Sequence, residues 1–451
     1  VVINSPDIRA WLRFQWDREL AFTRHLRRFV RGLSDQVAIS INAAQGVYYN
    51  APLIYGQLAQ RLLPWVDMIW SEDRFHLRLL EGRPISRLAI FKMAREAGLP
   101  VCAYHWAQKP KRVEASVSLA LAANGGHASC LGFTFRYLPH AQLGAEAKAR
   151  LTRWAREHWA LLGNTQPMGE VGLARHTPSL TWNGRQPWEA VVGLEALLTR
   201  MRVPWRLMNQ IDHPALDEVR TLLVAEAECL SDEELARLRS WVEAGGRLLF
   251  TTRTGRYDED RRRRPRQPIL DWVDAWRPIN DAIGPEEWFA WTHEDVVELE
   301  EIEAEAAGAS AQPAVAELGS GRLGWWPAVR SVEPVTPHIL RARDLRPPVD
   351  ADALERFIAQ LHGPFTMRVD AAPQVMVEFN RPASRGGRLI HLIRIDEQDA
   401  PVEAVIHLDA SANAQAAVVL SPDPQPPRLQ AQPQAIRLNG LQRYAVVHLP
   451  S

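Results

Sequence analysis

The chain has 451 residues, 46% of them hydrophobic, which is enough apolar material for about three packed domains. Its 53 basic and 53 acidic residues balance, which argues against nucleic acid or an anionic membrane surface as the main partner. No apolar run approaches the ~20 residues of a membrane span, and the three cysteines are too widely spaced for a disulfide framework or a metal site. We favour the cytoplasm as its compartment.

The first 140 residues alternate amphipathic helical patterns with short apolar runs. Four of these runs predict buried strands, at residues 36–42, 65–70, 100–106 and 126–136. Strand–helix repeats of about 30 residues are typical of a parallel sheet covered by helices. Four repeats are half of a (β/α)8 barrel. Either four further strands precede Val1, or the unit is a smaller open sheet. Because a half barrel would expose two apolar edges, we favour the first.

Polar side chains stand just past the carboxyl ends of these predicted strands, where a (β/α)8 barrel has its active site. Seventeen tryptophans are a high count, and tryptophan faces line sugar-binding clefts as well as large cores. For a sugar ligand, cleavage of the glycosidic bond normally needs two carboxylates, and Glu72 and Asp73 are the only acids at a strand end here. Neighbouring residues point to opposite sides, so at most one of the two faces a pocket. We predict Glu72 as proton donor or sugar ligand; the alternative is an ordinary loop acid.

Other residues at the strand ends suit sugar binding. Asn42 and Asp73 could bind hydroxyls, although an asparagine there could equally cap a turn. His105 could hydrogen-bond a sugar or orient a carboxylate, with a packed histidine as the alternative. Trp70 and Trp106 could stack on a sugar or belong to the core. Arg136 could pair with Glu72.

The middle of the chain contains a strand–helix–strand pattern. Residues 221–225 and 248–251 are apolar runs, and between them Ser231 precedes three acids, the expected start of a helix that Gly245 ends. This pattern predicts two parallel strands within a three-layer, doubly wound domain.

Cys229 follows the first strand of this pattern but lacks the glycine-flanked turn that exposes a nucleophile. A buried thiol is the favoured interpretation, and an amidotransferase-like enzyme is a weak alternative. The sequence contains no phosphate-binding loop, dinucleotide fingerprint or metal motif, so we predict no cofactor and no metal.

From residue 363 the hydrophobic pattern changes to period two. Five short strands are predicted, at 375–379, 389–395, 402–408, 416–420 and 444–449, with proline-rich residues 422–433 as a connection. They predict a small antiparallel β sandwich.

Taken together, these stretches resemble the family 42 β-galactosidases. CLSDEELARLRSWVEAGGRLLFTTRTGRYDE (229–259) resembles their trimerisation domain, a flavodoxin-like or glutamine-amidotransferase-like module. VDMIWSEDRF (66–75) and SCLGFTFRY (129–137) resemble their sixth and eighth barrel strands, and residues 389–408 resemble their C-terminal sandwich. The likeness to uncharacterised glycosidase-like proteins with the same trimerisation domain is closer still.

The resemblance implies an α/β chain in three parts. Residues 1–162 would be the C-terminal half of a (β/α)8 barrel, 163–345 the doubly wound trimerisation domain, and 346–451 the β sandwich. It also implies hydrolysis of a β-galactoside or related carbohydrate by carboxylates, and a homo-oligomer, with a trimer as one form.

The chain departs from the family at its catalytic positions. Glycosidases of this clan carry an acid/base glutamate after strand four and a nucleophile glutamate after strand seven. Strand four would precede Val1, and PVCAYHWAQKP (100–110), aligned as strand seven, contains no carboxylate. Two functions therefore stay open: a glycoside hydrolase, or a catalytically inactive carbohydrate-binding or scaffold homologue.

Overall fold

The computed structural model describes most of the chain, namely residues 6–42, 58–71, 77–86, 88–105, 109–128, 130–131, 141–183, 186–211, 214–276, 290–291, 296–297, 312–333, 342–383 and 386–451. Over these residues the protein is a mixed α/β chain with ten α-helices and several β-sheets. No helix within them is both long enough and apolar enough to cross a bilayer.

The first unit is built around a parallel sheet of four strands. Its elements, in chain order, are α1 Pro6–Leu33, β1 Ser40–Asn42, α2 Ala59–Leu62, β2 Met68–Ser71, β3 Arg78–Leu80, β4 Arg83–Ile85, α3 Leu88–Glu96, β5 Val101–His105, α4 Pro110–Ala123, β6 Cys130–Leu131, α5 Ala141–Glu157 and α6 Trp159–Leu162. The sheet order is β1-β2-β5-β6, and every pair is parallel. The predicted parallel pairing of these strands is confirmed.

The hairpin β3–β4 is an element that the sequence analysis missed. Its two strands are antiparallel and joined by Glu81 and Gly82, which have φ angles of 53° and 76°. Positive φ at both turn positions matches the right-handed twist of a hairpin, and glycine adopts it at low cost. Each strand is only three residues long, too short for a clear alternating pattern.

The middle unit contains a six-stranded sheet. Its elements are β7 Gln166–Pro167, β8 Val171–Ala174, α7 Thr177–Trp182, α8 Gln186–Met201, β9 Trp205–Met208, β10 Thr221–Leu223, α9 Asp232–Glu243, β11 Arg247–Phe250, β12 Ala290–Trp291, β13 Val296–Val297, β14 Ala314–Leu318, β15 Gly321–Trp325 and α10 Ala351–His362. The order is β14-β15-β11-β10-β8-β9, with only the β14 edge strand antiparallel.

The predicted strand–helix–strand pattern is present as β10, α9 and β11. The strands are parallel neighbours. Helix α9 begins with a reciprocal capping box, in which Glu234 N–H donates to Ser231 Oγ and Ser231 N–H donates to the Glu234 carboxylate. Two otherwise unpaired backbone donors are satisfied in this way, so the Ser-x-x-Glu spacing fixes where the helix starts.

The last unit is a sandwich of two antiparallel sheets. Its strands are β16 Met367–Ala371, β17 Val375–Arg381, β18 Arg388–Arg394, β19 Val402–Leu408, β20 Val418–Leu420, β21 Arg428–Gln432, β22 Ala435–Leu441 and β23 Tyr444–Leu449. The sheets have the orders β16-β19-β22-β21 and β20-β23-β18-β17-β7. Strand β7 therefore pairs with β17, far along the chain. Short 3-10 turns lie at Leu63–Trp65, Pro214–Glu218, Pro268–Trp272, Asp274–Trp276, Ala342–Asp344 and Ala414–Ala416.

Three sandwich strands were not predicted: β16, β21 and β22. The proline-rich stretch expected to be a connection ends in the hairpin β21–β22. Its strand β21 alternates exposed and half-buried residues, of which arginine and glutamine make up the exposed set. Its alternation is weak as a signal, because the apolar positions are only Leu429 and the small Ala431, and neither is fully buried.

One buried ion pair joins all three units. Lys92 of α3 places its Nζ 2.6 Å from Glu378 Oε1 of β17 and 2.7 Å from the Trp205 carbonyl oxygen of β9. The ammonium group also lies 4.4 Å from the centre of the Trp205 ring. The two side chains are only 4% and 3% exposed. Burial lowers the pKa of Lys92 and raises that of Glu378, while each charge favours the ionised form of the other.

Further polar contacts surround this pair. Arg206 of β9 binds Glu96 of α3 at 2.9 Å, and Asn209 Nδ2 donates to the Met93 carbonyl at 2.9 Å. Asn380 Nδ2 of β17 donates to the carbonyl of Ala122 in α4 at 2.7 Å. A continuous apolar core also runs through all three units. The units are therefore packed together rather than strung on linkers.

Replacing Lys92 by methionine should destabilise the protein by about 3–5 kcal/mol, because it leaves the Glu378 carboxylate buried without a counter-charge. The double variant Lys92→Met/Glu378→Met removes both charges and should recover much of that loss. Urea denaturation followed by circular dichroism measures both. A double variant no more stable than the single one would show that the ion pair is not what Lys92 contributes.

Candidate functional site

The described strand ends of the first sheet bring two of the predicted site residues together. Asn42, the last residue of β1, is in register with Trp70 of β2, which is in register with Cys102 of β5. Asn42 is exposed and Trp70 is half-buried. His105 is the last residue of β5, three positions beyond Cys102. Asn42 and Trp70 are therefore neighbours at the carboxyl end of the sheet.

The remaining predicted site residues lie outside the part of the chain that the structure describes. These are Glu72, Asp73, Trp106 and Arg136, and of His105 only the backbone position is described. Their proposed roles stay predictions.

The two faces of the first sheet differ in burial. Ile69, Val101 and Ala103 are buried in a core shared with α3 and α4. Trp70 and Cys102, on the opposite face, are only half-buried, and Asn42 shares their face through its register with Trp70. A ligand would therefore meet the sheet on the face of Trp70 and Asn42.

Another acid of the first unit, Asp67, is engaged in structural contacts. Asp67, just before β2, accepts hydrogen bonds from Ile39 N–H at 2.8 Å and from Arg31 at 2.6 Å. Burial opposes its ionisation, but these bonds and the nearby Arg27 bring the net pKa of Asp67 below its usual value. It lies at the amino end of β2, away from the predicted site. Across the described residues there is also no cluster of three metal-ligating side chains.

The favoured interpretation of Cys229 as a buried thiol is confirmed. The residue is fully buried, and its backbone N–H donates to Ser179 Oγ at 2.9 Å. Burial, aided by the neighbouring Glu228 carboxylate, raises the pKa of the thiol well above its usual value. A thiol that stays protonated is a poor nucleophile, so the geometry gives the amidotransferase alternative no support.

His176, just after β8, contacts the same serine that accepts from the Cys229 N–H. Its Nδ1 is 2.8 Å from Ser179 Oγ, and its Nε2 is 3.0 Å from Glu234 Oε1. Ser179 and Glu234 belong to the first turns of α7 and α9. The imidazole of His176 therefore links the first turns of α7 and α9.

The sequence analysis missed a buried charge cluster at the carboxyl ends of β10 and β11. Glu228 is fully buried between Arg253, at 2.8 Å, and Arg261. Glu226 has a φ angle of 54°, which is strained for a residue with a side chain, and its N–H donates to Thr251 Oγ1. Burial raises the pKa of Glu226 to about 7. The only signal in the sequence was the pair of acids in AEAEC, directly after an apolar strand.

No family model and no curated sequence matches this chain. Several solved structures are similar to it. A catalytic mutant of Gan42B, a GH42 β-galactosidase from G. stearothermophilus, has a TM-score of 0.62 at 13% identity, over 98% of this chain and 68% of its own. The β-galactosidase from Bacillus circulans sp. alkalophilus has a TM-score of 0.63 at 11% identity, over 97% and 67%.

A third similar structure is α-L-fucosidase isoenzyme 2 from Paenibacillus thiaminolyticus, with a TM-score of 0.57 at 12% identity, over 96% of this chain and 71% of its own. At such identities the likeness concerns the fold. The chain has a fold like that of GH42 β-galactosidases.

Substituting Glu226 by glutamine should change the pH dependence of stability. The pKa of Glu226 is about 7 in the folded state and 4.5 in the unfolded state. Its favourable contribution to the free energy of unfolding is therefore complete below pH 4.5 and is lost as the pH rises through 7. At pH 8 Glu226→Gln should therefore be more stable than the wild type by up to about 3 kcal/mol, with little difference at pH 4.5.

Urea denaturation at several pH values tests this. The matched control is Glu243→Gln, an exposed acid paired with Arg239 on α9, which should change stability by less than about 0.5 kcal/mol at any pH. Parallel pH profiles for the wild type and Glu226→Gln would contradict the assignment.

Proposed function

We propose that this chain is a carbohydrate-active protein of the glycoside hydrolase type. The observation that carries the proposal is the fold likeness, which extends over nearly the whole chain and relates it to structures named as β-galactosidases and a fucosidase. Residues 1–162 are proposed as the C-terminal half of a (β/α)8 barrel. Parallel strands that neighbour one another in chain order, with helices on one face, support this assignment.

The middle unit, residues 163–345, is proposed as a flavodoxin-like or amidotransferase-like domain through which the protein forms homo-oligomers, with a trimer as the expected form. Its parallel strands β8, β9, β10 and β11 lie in the spatial order 2-1-3-4, which is that of doubly wound flavodoxin-like sheets. Residues 346–451 are proposed as the sandwich domain, to which β7 adds an edge strand. Helix α10, within this range, packs on β11 and β15 of the middle sheet. The free thiol of Cys229 fits the cytoplasm as its compartment.

Glu72 is the proposed acid/base, donating a proton to the glycosidic oxygen of a β-galactoside or related sugar. Asn42 and Asp73 would bind hydroxyls together with His105. The indoles of Trp70 and Trp106 would stack on the sugar ring, and Arg136 would hold the Glu72 carboxylate. The adjacency of Asn42 and Trp70 on the less buried face of the sheet supports this site.

A second candidate is a homologue that binds carbohydrate without hydrolysing it. The observation that favours it is the sequence of β5, Val101–His105, which contains no carboxylate at the strand where the resemblance requires one. Retaining hydrolysis needs a second carboxylate about 5–5.5 Å from the first.

The test is turnover of aryl β-galactosides by the wild type and by Glu72→Gln. Loss of the acid should lower kcat/KM by about 100-fold or more, the usual contribution of general acid/base catalysis. The control is Glu81→Gln, which changes an exposed acid of the β3–β4 turn and should leave turnover unchanged. Turnover that survives in Glu72→Gln would remove Glu72 from the mechanism, and sugar binding without any turnover would establish the second candidate.

A further inference from the structure

A large cleft lies between the first and middle units. Its volume is about 970 Å³, within the range of small-molecule sites. Helices α1 and α2 with the turn Leu63–Trp65 form one side, and α7 with the start of α9 forms the other. Neither Asn42 nor Trp70 borders it, and Trp65 precedes β2, so the cleft is away from the carboxyl end of the first sheet.

The position of the cleft in the middle unit is one where ligands bind in sheets of this type. It is bordered by His176 after β8, by Asn209 and Gln210 after β9, and by Ser231 after β10. These three strands are adjacent in the order β9-β8-β10, where the connections leave to opposite sides. Open parallel sheets bind ligands in the crevice at this point, outside the carboxyl ends of the strands.

Four buried oxygen atoms of side chains around the cleft have no hydrogen-bond partner among the described residues. The atoms concerned are Gln60 Oε1, Thr177 Oγ1, Thr181 Oγ1 and Asn209 Oδ1. Buried polar atoms without partners are rare and costly, because they lose their hydrogen bonds to water. Four of them around one cleft indicate groups that a ligand completes, and rotation about χ1 can turn a threonine hydroxyl towards it.

The arginines around the cleft, in contrast, are already engaged. Arg61 pairs with Asp17 at 2.7 Å, and Arg13 pairs with Asp260. Arg24 lies over the ring of Trp65, 4.5 Å from its centre. An anionic ligand would have to disrupt these contacts, whereas a neutral one would not.

We propose that this cleft is a second ligand site, which binds a neutral, polyhydroxylated molecule of the size of a mono- or disaccharide. Its hydroxyls would meet the unpartnered oxygen atoms. Its apolar faces would pack on the indole of half-buried Trp65, with Trp16 and Trp182 beneath. The site is separate from Glu72 and goes beyond the proposed function.

Isothermal titration of the full chain with D-galactose, L-fucose and lactose tests the proposal. Thr181→Val removes one unpartnered hydroxyl and keeps the shape, so it should weaken binding of at least one sugar by about two- to tenfold. The matched control is Thr152→Val, which removes an equally unpartnered hydroxyl from α5, outside the cleft, and should leave the affinity unchanged. Glu72→Gln should leave this binding intact and prevents turnover during the titration.

Three outcomes would overturn the proposal: no heat of binding for any of the three sugars at millimolar concentration, equal affinities for Thr181→Val and Thr152→Val, or binding that Glu72→Gln abolishes while Thr181→Val retains it. The last result would place the sugar at the strand ends and support the proposed function instead. If Thr181→Val fails to fold, Gln60→Ala on the short helix α2 takes its place, since it removes no fully buried side chain.

Discussion

The arrangement of the three units depends on a buried charged group, the ammonium of Lys92. The ammonium group of Lys92 in the first unit is held by a carboxylate of the sandwich and a backbone carbonyl of the middle sheet. A buried ion pair adds little net stability compared with apolar residues of the same shape, but a misaligned one is very costly. Lys92 and Glu378 therefore act mainly by excluding other relative positions of the units, while the shared apolar core supplies most of the free energy of association.

Because the units are held in fixed relative positions, the cleft between the first and middle units has a defined shape. The walls of the cleft come from α1 and α2 on one side and from α7 and α9 on the other. Arg9 and Arg13 of α1 reach Asp260, which follows β11, and so connect the two walls directly. The geometry at the carboxyl edge of the middle sheet is thus set by contacts between units as well as by the sheet itself.

Local patterns in the sequence predicted local structure well. The Ser231–Glu234 spacing gave the start of α9, and apolar runs gave the four parallel strands of the first sheet. Features that depend on distant partners were not accessible in this way. The AEAEC segment does not reveal that Glu228 is buried, because its partners Arg253 and Arg261 follow a helix and a strand later. Asn42 and Trp70 are register partners at the end of their strands, but the sequence said nothing about which face of the sheet is less buried.

The edge strand Gln166–Pro167 has a consequence for synthesis of the protein. Its partner strand, Val375–Arg381, leaves the ribosome some two hundred residues later, and the carboxylate that meets Lys92 belongs to the same strand. Until then Lys92 of the nascent first unit stays hydrated, at a surface that is buried in the folded protein. Final packing of the three units therefore requires the hairpin β17–β18. A chain that ends before residue 375 would leave Lys92 without its carboxylate partner.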